Sequence, residues 1–270
     1  MPELIYEKRG NYAIFTMNRP ERMNANNNAM TDQLWDAVED FNHDFDMRVA
    51  ILTGAGRAFS TGHDMKEMNE KISALGLDTM SQTERIAMGQ EGAAARIGKP
   101  NMPFPSSPKP WIAAINGPAA GSGFGRALNC DIRIASSEAW CAFFEVTRGR
   151  VSIGTIDLPR MSIPSSHAAY ALFTAERLTP EKLLQFSIVS EVVPPDRLLP
   201  RAIEIAEKIA ENAPLALKAS KEMLWDWRQT KLREAERLYE ALSLSFRYSD
   251  DAMEGPRAFA ERRKPQWKGR

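Results

Sequence analysis

Residues Ala119 to Gly125 read AAGSGFG and follow WIAAINGP, an apolar run of strand character. A glycine-rich turn between a strand and a helix can serve as a phosphate cradle, a nucleophilic serine elbow or a backbone pocket for a developing oxyanion. The dinucleotide fingerprint GxGxxG does not fit, because Gly121, Gly123 and Gly125 are spaced GxGxG and Ala127 stands one residue past the last expected position. A phosphate loop ends in Gly-Lys followed by Ser or Thr, a combination the chain lacks. A serine elbow needs glycine two residues before and after the serine, and around Ser122 those places hold Ala120 and Phe124. What remains is chemistry through the main chain: N–H groups in the first turn of a helix, reinforced by its dipole, hold an oxyanion. Small residues at Gly121, Ser122 and Gly123 would equally let a helix and a strand pack tightly, and this segment alone does not separate the two readings. His63-Asp64 and His43-Asp44 are adjacent pairs with no HxxxH or HExxH spacing, so no metal site is expected.

The elements that must position this turn follow from periodicity. Asn11 to Asn18 read as a strand stopped at Arg19-Pro20. Met30, Leu34, Ala37, Val38 and Phe41 recur at helical spacing, and VAILTG follows as a strand. Strand, helix, strand is the unit of an α/β fold with parallel pairing, and WIAAIN, GSGFGRALNC and DIRIAS repeat it. From Met65 to Pro110 the pattern weakens into a Met-rich stretch and GKPNMPFPSSPKP, with its five prolines, so a mobile substrate-side loop is expected. SSHAAYALFT and TPEKLLQFS read as short helices, the second capped by Thr179 before Pro180 and Glu181. IVSEVVPP reads as a strand. Asp196 to Asn212, Pro214 to Gln229, Lys231 to Ser249 and the segment DAMEGPRAFAERRKPQW read as helices. The expected division is a core over residues 1–195 and a helical region over 196–270.

The 270 residues suffice for one large domain with a sizeable core. Lys+Arg and Asp+Glu are both 35, so zero net charge leaves no electrostatic footprint for nucleic acid or an anionic membrane. No apolar run spans a bilayer and the start lacks a secretory pattern, so a cytoplasmic protein is expected. Cys130 and Cys141 lie in apolar segments and read as buried, reduced thiols.

GRAFSTGHDMKEM after the VAILTG strand, together with KPWIAAINGPAAGSGFGRALNCDIRIAS, closely resembles the crotonase (enoyl-CoA hydratase/isomerase) superfamily. NRPERMNANN, AERLTPEKLLQFSIVSEVVPPDRL and DDAMEGPRAFAERRKPQW extend the resemblance over essentially the whole chain. It implies an α/β fold, a crotonase-type spiral of ββα units with a C-terminal helical region that covers the site and joins subunits into a homotrimer or dimer of trimers. It also implies an acyl-CoA thioester as ligand, no separate cofactor, and no nucleic-acid or membrane partner.

Carried onto this sequence, the resemblance makes the oxyanion hole from the backbone N–H of His63, after Gly62, and of Ser122, after Gly121. Coenzyme A would lie along Ala58 to Lys66, against Ala58, Asp64, Met65 and Lys66, with Arg22 and Lys66 available to its phosphates. Family hydratases use two glutamates. The first position is occupied by Gly125, and the second aligns with Glu145 in WCAFFEVTRG, whose neighbours Phe143 and Phe144 raise a carboxyl pKa toward general acid/base work. Phe144 replaces the usual proline and RGRVSIG lacks the proline common in the next loop, which reshapes the acyl pocket. The resemblance therefore implies hydration, dehydration or double-bond isomerisation with Glu145 as sole acid/base. Two alternatives stand beside it. One is retro-aldol cleavage of a 3-hydroxyacyl-CoA, as in the hydroxycinnamoyl-CoA hydratase-lyase branch, whose tyrosine is Met68 here. The other is a non-catalytic acyl-CoA binder.

Overall fold

The computed structural model describes residues 2–77, 79–81, 83–84, 104, 107–229 and 249–266. The chain opens with a hairpin, β1 (Leu4–Arg9) and β2 (Tyr12–Met17), followed by helix α1 (Asn28–His43) and strand β3 (Val49–Gly54). Helix α2 (Met65–Ala74), β4 (Trp111–Ile115), the short β5 (Ala119–Ala120) and α3 (Ser122–Leu128) come next. Strands β6 (Ile132–Ser136) and β7 (Cys141–Ala142) lead into a 3-10 helix, Glu145–Arg148, and helices α4 (Gly154–Arg160), α5 (Ser165–Phe173) and α6 (Pro180–Gln185). Strand β8 (Glu191–Val193) and helices α7 (Pro195–Ala210), α8 (Pro214–Gln229) and α9 (Asp250–Ala260) complete the described elements.

A six-stranded sheet in the order β1-β2-β3-β4-β6-β8 forms the centre, and β5 pairs with β7 apart from it. All its pairings are parallel except β1 with β2. The expected parallel αβ core is thus present, and the antiparallel edge is an addition to it. Sequence periodicity misses β1 because Glu7, Lys8 and Arg9 carry charge on an outer strand that is only partly buried. Gly10, at φ +55°, starts the two-residue turn that returns the chain from Arg9 to Tyr12.

Strand alternation divides the core into two. Phe15 and Met17 of β2, Leu52 of β3 and Trp111 of β4 face α1, where Met30, Leu34 and Phe41 meet them. Phe15, Phe41 and Phe104 crowd around Trp111, with ring centroids 4.6, 5.6 and 4.5 Å from it. Ile14, Val49, Ile51 and Ile112 point to the opposite face, where Leu198, Ala202 and Ala206 of α7 cover them. Cys130 and Cys141 are free and buried.

One expectation is corrected. Met65 to Ala74 is a helix rather than part of a loop, because Asp64 Oδ1 accepts from the N–H groups of Lys66 and Glu67 and the segment MKEMNEKISA contains no breaker. Met68 falls on this helix. Most of the proline-rich stretch after it, and all but the last residue of the helix expected over residues 231–249, lie outside the described residues; that last residue, Ser249, is the extended N-cap of α9. Three short elements without a strong sequence pattern also appear: α4 and the paired strands β5 and β7.

Candidate active site

Three segments far apart in the chain meet beyond the ends of β3 and β4. The segment 57–64 packs on the segment 117–123 so closely that a Cβ on Gly123 would fall 2.2 Å from Ser60 O. Backbone bonds fix this contact: Ala120 N–H donates to Ser60 O at 2.9 Å, and Gly121 N–H donates to Ala142 O at 3.0 Å. On the other side Asn26 N–H donates to Gly62 O at 2.6 Å and Asp64 N–H donates to Asn26 O at 2.9 Å, so the residues flanking His63 are anchored.

Gly62 and Gly121 have φ of +88° and +52°, a region that a side chain makes costly. A Cβ on Gly62 would lie 3.2 Å from Ser122 N, which places the two turns against each other. Ser122 is the first residue of α3, where an N–H has no partner within the helix. Among the described residues no acceptor takes the Ser122 N–H, and its buried hydroxyl has no partner either.

The third segment carries Glu145, first residue of the 3-10 helix. Phe143 holds this segment in place, its ring tilted 31° against that of Phe124 of α3 with centroids 4.6 Å apart, and pressed by Gly154 of α4, where a Cβ would meet the ring at 2.6 Å. Glu145 Oε1 reaches to 3.2 Å from the position of a Cβ on Gly121, and its buried Oε2 has no hydrogen-bond partner. Burial raises the Glu145 pKa, against opposing pulls from Ser152, Arg148 and Arg150.

A cavity of about 60 Å³ lies between the segments, lined by His63, Met65, Gly121, Ser122, Phe144, Glu145, Arg148 and Arg150 with Thr61, Gly62 and Ala120. His63, Met65, Gly121, Ser122 and Glu145 were all expected at the site, and the fold brings them together. The other expected residues stand outside this cavity. Arg22 is exposed at the end of a 3-10 turn, and exposed Lys66 lies 3.8 Å from Glu70. Ala58 is buried, and its carbonyl accepts from Asn24 and Asn116 side chains at 2.7 and 3.2 Å. Asp64 caps α2 and pairs with Arg19 at 3.2 Å; burial would raise its pKa, yet the Glu67 N–H and Arg19 bonds leave it lowered. Sequence reading missed Arg148 and Arg150. The signal was present in EVTRGR, since a 3-10 helix returns the third residue after Glu145 to the same side. Among the described residues no group of three or more His, Cys, Asp or Glu is placed to hold a metal.

The enoyl-CoA hydratase/isomerase family model matches residues 7–270. The chain belongs to that family. An (E)-benzylidenesuccinyl-CoA hydratase of Thauera aromatica is 38% identical over 260 residues, 95% of each chain. A 2,3-dehydroadipyl-CoA hydratase of Escherichia coli strain K12 is 34% identical over 273 residues, the full length of both. Among solved structures, EchA1_1 from Mycobacterium paratuberculosis superposes with a TM-score of 0.83 at 30% identity, covering all of both chains. A carnitinyl-CoA dehydratase from Mycobacterium avium 104 gives 0.81 at 29%, again over both whole chains. The crotonase-type fold expected from the motifs is therefore the fold observed. No helix among the described residues is long and apolar enough to cross a membrane.

Proposed function

We propose that this chain is an acyl-CoA-processing enzyme of the enoyl-CoA hydratase/isomerase type that adds water to, or removes it from, a thioester through an enolate held by main-chain donors. The observation that carries this reading is the meeting of a carboxyl lacking a partner on one oxygen, Glu145, with a helix-start N–H lacking an acceptor, Ser122, across Gly121. In hydration, the Glu145 carboxylate takes a proton from water as the water oxygen bonds to the β-carbon. The π electrons move onto the thioester oxygen, which accepts from the N–H groups of His63 and Ser122. Glu145 then returns its proton to the α-carbon, so one carboxyl serves as base and acid and ends unchanged. Its raised pKa brings the two roles closer in energy.

Turnover of a panel of enoyl-CoA thioesters by wild type and Glu145→Gln tests this, and equal rates would remove Glu145 from the chemistry. Ser122→Pro deletes the proposed donor at a first helical position, which accommodates proline. It is expected to cost about 3 kcal/mol of barrier, roughly a hundredfold in kcat; a folded variant of unchanged kcat would dismiss this donor. Glu145 is the single carboxylate lining the cavity among the described residues, with Gly125 buried on α3 where the family's other glutamate belongs. That lone carboxylate favours, as a second reading, retro-aldol cleavage of a 3-hydroxyacyl-CoA, for which release of an aldehyde or ketone is decisive. The exposed Leu215, Met223 and Leu224 of α8 support a role of the region 196–270 in self-association into a trimer or dimer of trimers. A monomer by light scattering would rule that out.

A further inference from the structure

The cavity carries more positive charge than the proposed chemistry uses. Arg148 and Arg150 line it beside Glu145, and Glu145 is the single acid that faces them among the described lining residues. Arg150 N–H donates to Glu145 O at 3.0 Å, which ties the second arginine to the same turn. Arg148 is partly buried, with its guanidinium over the rings of Phe259 and Phe144 at 4.7 and 5.9 Å. Those ring faces satisfy neither its hydrogen-bond donors nor its full charge. Among the described ion pairs and hydrogen bonds, none gives its side chain a carboxylate or another acceptor. The arginine is held firmly: a Cβ on Gly255 of α9 would fall 2.1 Å from Arg148 O, and one on Gly149 would fall 2.4 Å from Asp251 O. Burial lowers its pKa, and the charge of Glu145 opposes that lowering without reversing it.

A half-buried cation of this kind is stabilised when a ligand brings the missing anion, and a guanidinium matches a carboxylate with two parallel bonds. We propose that the acyl part of the thioester bears a free carboxylate, received by Arg148 in this cavity. The inference rests on the proposed acyl-CoA reading and narrows its substrate class to dicarboxylic monothioesters. A phosphate of coenzyme A presents similar chemistry, and the test separates the two.

The experiment compares two six-carbon 2-enoyl-CoA thioesters, one ending in a methyl group and the other in a carboxylate, as substrates of wild type, Arg148→Met and Arg148→Lys. Wild type is expected to show a kcat/KM for the carboxylate-ended thioester about tenfold to a hundredfold above that for its methyl-ended partner, the scale of a charge-assisted pair. In Arg148→Met that ratio should fall toward one, with Arg148→Lys between. If the two thioesters lose kcat/KM equally in Arg148→Met and the ratio persists, Arg148 holds a phosphate or supports the fold, and the inference is overturned. A wild-type ratio at or below one overturns it without any variant, so a poorly folding Arg148→Met does not block the result. Turnover of the methyl-ended thioester alone leaves the proposed function standing and removes this substrate class; turnover of neither removes both.

Discussion

Asp131 and Glu145 are two carboxylates near strand ends, and their surroundings differ in kind. Asp131, just before β6, accepts from Trp111 N–H at 2.8 Å and Trp225 Nε1 at 2.9 Å, and pairs with Lys221 at 3.0 Å. Lys221 in turn donates to Lys109 O at 2.7 Å, so this cluster ties α8 to the edge of the core with its carboxylate oxygens occupied. Glu145 has one oxygen against the Gly121 turn and one buried without a partner. An unmade hydrogen bond at a buried group costs about 1–3 kcal/mol, so the fold carries at Glu145 a cost that it avoids at Asp131. The difference separates two uses of a carboxylate: the one that ties elements together has both oxygens occupied, while the one at the cavity keeps one oxygen open.

That contrast can be broken most sharply at Glu145, where Glu145→Gln is expected to lower kcat on enoyl thioesters by about a hundredfold to ten-thousandfold. A loss under threefold would make the open carboxyl an accident of packing. Asp131→Ala should do the reverse, destabilising the protein by about 3 kcal/mol because Lys221 is left buried without its pair. Denaturant titration reads this, and an unchanged midpoint would contradict the assignment of Asp131 to structure.

Arg126 sharpens the comparison, since it is fully buried yet sits away from the cavity lining. Its Nη1 lies 3.6 Å from both Met17 Sδ and Met30 Sδ, its Nε and Nη2 have no partner, and burial pushes its pKa down to about 9. Replacing such a cation by a similar apolar volume, Arg126→Met, is expected to stabilise the fold by roughly 1–4 kcal/mol. A lower melting temperature would mean that the charge has a use not visible in its contacts.

The smallest expected effect is a pH dependence. Burial raises the Glu145 pKa in the fold, so the folded chain keeps this proton to a higher pH than the unfolded chain. That contribution to stability is full below the unfolded pKa and is lost as pH rises through the folded one. Glu145→Gln cannot ionise, so its melting temperature should gain on wild type as pH rises from the ordinary glutamate range through the raised folded pKa. A gap that narrows over this range would reverse the sign assigned to Glu145.

Local pattern made much of this legible. The apolar runs VAILTG and WIAAIN supply β3 and β4 because strands covered on both faces need no alternation, and the turn before α3 needs glycine because Gly121 combines φ +52° with ψ −125°. The charged β1 and the cap of α2 by Asp64 were harder to read, since each depends on one partner segment rather than on periodicity.

The sequence by itself determined the family, the parallel core and the glycines of the turns at Gly62 and Gly121, all properties of short stretches whose backbone demands are local. Tertiary structure alone decided that His63, Ser122 and Glu145 share one cavity while Ala58 and Asp64 serve the framework, and that Arg148 joins the former. The reason is contact between distant segments: side-chain-free positions such as Gly123 against Ser60 set those distances, and no periodicity encodes them.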